Sequence, residues 1–312
     1  MRTSTTSLEA AFGGERPYLR ALLYRLTGCA ADAEDLVQDT FVRALERPPA
    51  DRHRPWRPWL TRVALNLGRD LLRRRRRRGY VGPWLPSPVR TGEQHDPPSF
   101  DPPDLQPGPG ARYDLAESAS IAFLVALEAL TPSQRAVLLL RDVLDESVRE
   151  TAASLDMSEA NVKTTHLRAR RAMAAYEAER RPPCPAERVR TAVALQRFLE
   201  ALATGDAAGL EALLAEDVRM ASDGGGEFVA ARRIVSSRAK VARFLLGLAG
   251  KAAQPRVELL TLNGLPAVLV TSAGQVSPGW ARRSVLQIGL DAEGHIRDVW
   301  GILASRKLSA LG

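Results

Sequence analysis

Cysteine is scarce in this sequence, and long hydrophobic segments are absent. The two cysteines, Cys29 and Cys184, are far apart, and neither has a second cysteine or histidine at the spacing of a metal site. This excludes a disulfide-stapled module and a zinc finger, and it favours a reducing compartment. No apolar run approaches the ~18 residues of a membrane span, and the first residues lack the hydrophobic segment of a secretory signal. We therefore expect a cytoplasmic protein without membrane insertion.

Acidic residues are outnumbered, and the excess positive charge is concentrated near the N-terminus. The 312 residues include 44 Lys or Arg and 36 Asp or Glu, a net charge of +8, and 45% are hydrophobic, which suffices for two or three domains. Residues 1–80 alone have a net charge of +8 and include six consecutive arginines, Arg73–Arg78. Two interpretations of this run are open: a solvated, mutually repelling face or a surface that binds nucleic-acid phosphates.

Proline divides the chain. Nine of the 21 prolines fall within residues 79–115, a composition typical of an extended linker. A second, shorter interruption contains Pro182, Pro183 and Pro185. The predicted parts are a first domain over 1–78, a Pro-rich linker over 79–115, a second domain over 116–181 and a third over 186–312.

The first domain is predicted to be helical. Within 32–45, apolar residues recur at helical spacing and form one face, made of Val37, Phe41, Ala44 and Leu45. A second helix, from Trp59 onward, combines a polar, arginine-bearing stripe with an apolar one. The apolar stripe comprises Leu60, Val63, Ala64, Leu67 and Leu71.

The second domain contains a helix-turn-helix pattern. Helices predicted over about 147–155 and 159–178 are separated by only three residues. The net charge is −4 over 120–159 and +4 over 160–181, so the basic side chains are concentrated on the second helix. A helix that enters the major groove of DNA needs this polarity.

The third domain changes character from helix to strand. Helices are predicted over about 187–204, 207–214 and 236–249. Strands are predicted at Val257–Leu262, Ala267–Thr271, Ser284–Leu290 and Ile296–Leu303. Helices followed by a meander of strands predict an α+β domain with a curved antiparallel sheet.

Three segments resemble a known family. Asp32–Phe41, followed by Trp59 and the arginine run, resembles region two of bacterial sigma factors of the extracytoplasmic-function group. Leu130-Thr131-Pro132 and the helix-turn-helix after it resemble region four of the same proteins. Tyr80–Pro86 and the third domain resemble a subgroup with a C-terminal SnoaL-like extension, a cone-like fold of the nuclear-transport-factor-two type. The resemblance implies two all-α sigma domains and a regulatory α+β domain.

The same resemblance implies a function by binding alone: the protein would attach to RNA polymerase core and direct it to promoter DNA. Polymerase binding is assigned to Asp32, Asp35, Gln38 and Asp39. Binding of the −10 element is assigned to Trp56, Arg62, Asn66, Arg69, Arg73 and Arg74. Binding of the −35 element is assigned to Ser158, Asn161, Lys163, Thr164, Arg168 and Arg171.

The segment Tyr80–Pro86 is too apolar for a free spacer, and Trp84 in particular requires a surface to cover it. We predict that the third domain docks on this segment and thereby modulates activity. The contact is assigned to Tyr80, Trp84, Asp223, Gly224, Gly225, Lys307 and Leu308. The sequence departs from the subgroup at Glu227, where a basic residue is usual, and at Ala304–Arg306.

Two other functions stay open at this point. A helix-turn-helix regulator that is not a sigma subunit would leave 32–78 unexplained. A DNA-bound SnoaL-like isomerase would need an acid/base pair, but residues 182–312 contain no tyrosine and one histidine, His295. We therefore expect no catalytic residue, no metal and no cofactor, and whether the third domain binds a small-molecule ligand stays open.

Overall fold

A computed structural model describes residues 3–49, 55–90, 109–251 and 255–311 of the chain. These residues form two compact units. The first unit comprises 3–49, 55–79, 109–119 and 123–178, and the second comprises 80–90, 120–122, 179–251 and 255–311. The beginning of the predicted linker therefore belongs to the same unit as the C-terminal domain, while its residues 91–108 lie outside the described residues.

The first unit is built from helices. Three long ones come first: α1 (Thr3–Thr27), α2 (Ala30–Glu46) and α3 (Arg57–Arg78). Next along the chain are α4 (Leu115–Ser118), α5 (Ile121–Ala126), a 3-10 turn (Leu127–Ala129), α6 (Pro132–Leu138), a π-helical turn (Leu139–Val143), α7 (Val148–Leu155), α8 (Glu159–Ala172) and α9 (Ala174–Glu179). A Cβ at Gly68 would lie 2.4 Å from Cδ2 of Leu26, so a glycine is needed where α3 crosses α1.

Two details of the predicted helix faces are wrong. Leu45 belongs to the exposed side of α2, with 58% of its surface accessible, because the buried side follows Val37, Phe41 and Ala44. In α3, Leu67 was expected in the core but is partly exposed. Because α3 packs against both α1 and α7, its buried side includes positions outside the predicted stripe. The buried residues of α3 are Leu60, Thr61, Ala64, Leu65, Gly68 and Leu72.

The helix-turn-helix is defined by its caps. A capping box at the start of α7 pairs the Ser147 side chain with the backbone of Glu150, and the Glu150 side chain with the backbone of Ser147. Asp156 ends α7 in the left-handed region, with φ of 56°. The Ser158 hydroxyl accepts a hydrogen bond from the Asn161 backbone N–H at 3.2 Å and so begins α8. Short polar side chains thus fix both ends of the turn.

The second unit combines helices with one six-stranded sheet. Its elements are α10 (Pro185–Thr204), α11 (Ala207–Leu213), β1 (Leu214–Asp223), β2 (Val235–Ser236), α12 (Arg238–Ala249), β3 (Pro255–Leu262), β4 (Leu265–Ser272), β5 (Arg283–Leu290), β6 (Ile296–Ile302) and α13 (Ser305–Leu308). The strand order is β2-β1-β6-β5-β4-β3, and β1 runs parallel to β6 while all other pairs are antiparallel. The predicted α+β class is confirmed, with a mixed rather than purely antiparallel sheet.

One face of the sheet forms the core with α10, α11 and α12. Met220, Val268, Ile288 and Val299 lie on this face and pack with Phe198 of α10. Because successive strand residues point to opposite faces, Asp223, Gln287 and Trp300 belong to the other face. The segment 80–90 contacts that second face and the end of the β3–β4 hairpin.

Candidate functional site

The exposed face of α2 is acidic and partly apolar. Asp35, Gln38 and Asp39 are exposed, whereas Asp32 in the first turn is half-buried. Val42 continues this stripe with 50% of its surface accessible. Leu45, also exposed, extends it by a further turn. Acidic and amide groups beside accessible aliphatic side chains give a surface suited to a protein partner.

The basic helix α3 presents only part of its arginine run to solvent. Arg74, Arg77 and Arg78 are exposed. Arg73 is also exposed, and its Nη1 lies 2.6 Å from the Asp70 carboxylate one turn earlier. At the start of the helix the half-buried Trp56 meets Trp59 edge to face, with ring centroids 6.4 Å apart.

Other arginines of α3 are bonded to the helix-turn-helix domain. Arg69 donates from Nη1 to the Leu155 carbonyl at 3.0 Å, and to the Asn66 side chain at 3.4 Å. Arg62 lies 3.4 Å from the carboxylate of Asp156. Three of the residues assigned to the −10 element, Arg62, Asn66 and Arg69, are therefore engaged with or next to α7 in this structure.

Further along α3, Arg75 meets the half-buried Glu128, which also pairs with the buried Arg135. Glu128 accepts hydrogen bonds from Arg75 and Arg135, each at 2.6 Å. Arg135 has 2% of its surface accessible, and it also donates to the carbonyls of Leu26 and Leu127. Burial alone would raise the pKa of Glu128, but the two guanidinium groups outweigh it and hold that pKa below its ordinary value.

Arg76 completes this contact, because its Nη2 donates to the carbonyls of Glu128 and Leu130. The run Arg73–Arg78 thus has two roles: Arg75 and Arg76 bind protein, and the remaining four face solvent. The sequence alone did not separate these roles. Once Leu72 is known to be the last buried residue of α3, helical periodicity explains them, because Arg75 and Arg76 lie three and four residues later on the same side of the helix.

The recognition helix α8 presents its polar side chains outward. The residues assigned to the −35 element are all exposed: Ser158, Asn161, Lys163, Thr164, Arg168 and Arg171. The opposite side of the helix is buried at Val162 and Ala169. The Thr164 hydroxyl donates to the Ala160 carbonyl at 3.0 Å. The accessible stripe is therefore basic and polar, as a DNA-reading helix requires.

Asp142 anchors the recognition helix from behind. Its carboxylate has almost no accessible surface and lies 2.9 Å from His166 Nε2 and 2.5 Å from Arg170 Nη2. Burial would raise the pKa of Asp142, but the hydrogen bonds from His166 and Arg170 prevail and keep it below its ordinary value. His166 is partly buried, and its pairing with Asp142 has no local signal in the sequence, because the two residues are 24 positions apart.

Glu146, in the turn before α7, has a carboxyl group of raised pKa. Burial, reinforced by the Glu150 carboxylate, raises the pKa of Glu146 to about 7. Because the unfolded chain releases this proton near pH 4.5 while the folded chain retains it, stability falls as the pH rises towards 7. We expect Glu146→Gln to stabilise the protein by about 1–3 kcal/mol at pH 8.

Thermal or urea unfolding at several pH values checks this expectation. The gain should shrink as the pH falls from about 8 to 5, since the wild-type side chain is then protonated as well. Glu150→Gln is not a suitable control, because Glu150 belongs to the capping box of α7. The exposed Glu159→Gln serves instead and should leave the difference between the two pH values unchanged.

In the second unit, Asp223 and Lys307 form a buried centre at the linker. Asp223 is inaccessible to solvent and accepts hydrogen bonds from the Tyr80 hydroxyl and the Leu85 backbone N–H, each at 2.7 Å. Lys307 Nζ donates to the Asp223 carboxylate and to the Leu85 carbonyl. The same Nζ lies 4.2 Å from the Trp84 ring centroid and 4.9 Å from that of Tyr80. One ion pair thus binds backbone and rings of the linker together.

The linker is bonded to the sheet at a second point. Asn263, in the left-handed region with φ of 52°, accepts from the Val89 N–H through its side-chain oxygen at 3.1 Å. Its own backbone N–H donates to the Val89 carbonyl at 2.9 Å. Leu85 and Val89 are buried. An Asn-Gly pair between two apolar runs is a hairpin signal, but nothing in that signal shows that the Asn263 amide binds the linker.

The glycines of the loop after β1 are required by close contacts. A Cβ at Gly224 would lie 2.5 Å from the Phe228 carbonyl oxygen, and one at Gly225 would lie 2.8 Å from the Ala304 Cβ. Gly225 also donates its N–H to Asp223 at 3.0 Å and has a φ of 64°. Leu308 is buried beside Lys307. The structure therefore brings all seven residues assigned to the linker contact into one region of the second unit.

The two places where the sequence departs from the subgroup pattern are neighbours. The Ser305 backbone N–H donates a hydrogen bond to a carboxylate oxygen of Glu227, with 3.4 Å between nitrogen and oxygen. Ser305 is the first residue of α13, the short helix that contains Lys307. Glu227 thus binds the start of the helix that contains Lys307, and it does so with a carboxylate where the subgroup usually has a basic side chain.

The residues that the structure describes contain no cluster of metal ligands, since no three His, Cys, Asp or Glu side chains converge among them. No helix in the part of the chain that the structure describes has the length and apolar character to cross a membrane.

Comparisons with known proteins match two helical parts of the chain. The family model Sigma-70 region 2 matches residues 12–78, and Sigma-70, region 4 matches residues 120–173. The chain is 38% identical over 240 residues to the ECF RNA polymerase sigma factor SigJ of Mycobacterium tuberculosis, covering 76% of this chain and 72% of that protein. It is also 39% identical over 166 residues to SigG of that organism, covering 49% and 45% of the two chains.

A solved structure matches almost the whole length. The crystal structure of the Mycobacterium tuberculosis extracytoplasmic function sigma factor SigJ aligns with a TM-score of 0.70 at 30% identity. The alignment covers 96% of this chain and 97% of the other. The likeness therefore includes the C-terminal α+β domain as well as the two helical domains.

Proposed function

The chain belongs to the extracytoplasmic-function sigma factors of RNA polymerase, and from that membership we propose how its domains divide the work of promoter-specific transcription initiation. A sigma factor binds core polymerase and promoter DNA and catalyses no reaction itself. The observation that carries the proposal is the serial match to regions 2 and 4, each with an exposed face suited to its partner. We further propose that it works where that polymerase is, in the cytoplasm.

For core polymerase, we propose the exposed stripe of α2 as the docking surface. It is supported by the accessible side chains of Asp35, Gln38 and Asp39 next to Val42 and Leu45. Asp35→Ala combined with Gln38→Ala should weaken binding to purified core, because exposed side chains at an interface contribute to binding without holding the fold. Co-elution with core on gel filtration measures this. Equal co-elution of wild type and double variant, with equal melting temperatures, would remove α2 from the docking surface.

For DNA, we propose that α8 reads the −35 element and α3 contacts the −10 element. Substitution of Lys163, Thr164 or Arg168 by alanine should change preference at single −35 bases, since a good base contact contributes about 1–3 kcal/mol of discrimination. Run-off transcription with core over single-base −35 variants measures this. A uniform loss over all variants would instead make the substituted residue a phosphate contact.

For the C-terminal domain, we propose modulation of initiation through the linker rather than catalysis. Support comes from the Asp223–Lys307 centre, which binds Tyr80, Trp84 and Leu85. A helix-turn-helix regulator outside the sigma family is not favoured, because the match over 12–78 has no place in it. An isomerase is not favoured either, since Asp223 is committed to the linker. The chemistry of any small-molecule ligand is not assigned.

A further inference from the structure

Charge is distributed unevenly within the C-terminal domain. Residues 228–290 contain nine basic residues and a single acidic one, Glu258, a net charge of +8. In contrast, residues 179–227 have a net charge of −3, with six basic and nine acidic residues. A domain that needed charge only for solubility would carry both signs interspersed. The excess in 228–290 calls for a structural account.

Helix α12 carries the centre of this charge on its outward side. Lys240 and Arg243 are three residues apart, which keeps them on one side of the helix, and Lys251 follows two residues after the helix ends. All three are exposed, and Gly247 is exposed as well. Val241 and Leu245 on the other side are buried in the core.

Neighbouring elements extend this charge at both ends of α12. Arg232 and Arg233 are exposed in the loop just before β2, the strand that packs next to α12. At the other end, the Lys251 ammonium lies 5.7 Å from the Trp280 ring centroid, two residues before Arg282.

We call this set the basic surface. It comprises Arg232, Arg233, Lys240, Arg243, Lys251 and Arg282. Among the described residues, no carboxylate forms an ion pair with any of them, and Glu258 is 3.9 Å from Arg90. Elsewhere in the same unit arginines are paired, as in Arg190 with Glu187 and Arg219 with Asp298. An array of like charges without counter-charges favours binding of a polyanion.

We propose that the basic surface binds the sugar-phosphate backbone of duplex DNA, as a contact independent of base sequence. The inference rests on the proposed function, because regions 2 and 4 supply the DNA and the covalent connection keeps it at high effective concentration. A lipid surface fits less well: the exposed positions of α12 are Ala239, Lys240, Arg243 and Gly247, without the large apolar side chains of an interfacial helix.

The test compares two pairs of neutralised charges in the full-length protein. Lys240→Gln with Arg243→Gln removes two charges from the centre of the basic surface. The matched control, Arg188→Gln with Arg197→Gln, removes two exposed charges from the mixed-charge helix α10. Affinity for a non-promoter duplex is measured by fluorescence anisotropy over salt concentrations of about 50 to 200 mM. Each lost phosphate contact should lower the log–log salt slope by about 0.9, so the first variant should lose about 1.8.

Three results would overturn the proposal: a salt slope unchanged in the first variant, an equal change in the control, or a loss confined to binding of anionic phospholipid vesicles. Run-off transcription with core, at low salt and with saturating promoter DNA, separates this from the proposed function. Wild type and Lys240→Gln/Arg243→Gln should give equal transcript there. No transcript from the wild type would instead overturn the proposed function.

Discussion

Replacing Asp223 with alanine is expected to lower the free energy of unfolding of the second unit by about 3–5 kcal/mol, the cost of breaking a buried ion pair from one side. Lys307 would remain buried, with 5% of its side chain accessible, and without its counter-charge. The Tyr80 hydroxyl and the Leu85 N–H would lose their acceptor at the same time. Buried hydrogen-bond donors that have no acceptor lower the free energy of unfolding further.

A functional effect should accompany the loss of stability. With the ion pair broken, the segment 80–90 loses the acceptor of two of its hydrogen bonds, and the Lys307 ammonium beside the Trp84 ring loses the carboxylate that positions it. Run-off transcription at equal core occupancy should then change in the same direction for Asp223→Ala, for Trp84→Ala and for removal of residues 186–312. Three yields equal to the wild type would mean that the C-terminal domain does not act through the linker.

Asp217→Ala provides the matched control for stability. Its carboxylate lies on the same strand, pairs with Arg297 at 2.6 Å and is 62% exposed. An exposed pair contributes only about 0–1 kcal/mol. Equal melting temperatures for Asp223→Ala and Asp217→Ala would contradict the buried ion pair. Lys307→Met added to Asp223→Ala should recover part of the loss, because the stranded ammonium is removed.

The sequence predicts best where local pattern and burial agree. The four C-terminal strands were expected within two or three residues of their observed ends, because β-branched residues and turns mark them. β1 was missed: it contains Glu216 and Asp217, and its register against β6 shifts between Leu214 and Arg219. Its parallel pairing with a strand far along the chain leaves no local signal.

Buried charge is the part that periodicity did not predict. Any of 80 charged residues could have been the buried ones, and the choice of Asp142, Glu128 or Lys307 depends on partners remote in sequence. Family resemblance, not spacing, pointed to Asp223 and Lys307. No such pointer existed for Glu128 and Arg135, whose positions follow from how α3 meets the helix-turn-helix domain.

Glu128→Gln should therefore lower the free energy of unfolding of the first unit by about 1–3 kcal/mol at neutral pH, because it removes the carboxylate that faces the buried Arg135. Arg135 would stay buried with its charge, keeping only the carbonyls of Leu26 and Leu127. Arg75 would keep the carbonyl of Thr27 and lose its carboxylate. Asp70→Asn is the control, because Asp70 is 55% exposed and pairs with the exposed Arg73.

The pH dependence of this difference distinguishes an ion pair from a simple loss of packing. The pKa of Glu128 is lowered in the folded protein, because Arg135 and Arg75 outweigh the effect of burial. A lowered carboxyl pKa stabilises above the unfolded value, about 4.3, and this contribution is lost as the pH falls through the folded value. Urea unfolding of wild type and Glu128→Gln should thus converge as the medium becomes acidic. A difference that stays constant from neutral to acidic pH would show that the glutamate stabilises the unit by its shape and not by its charge.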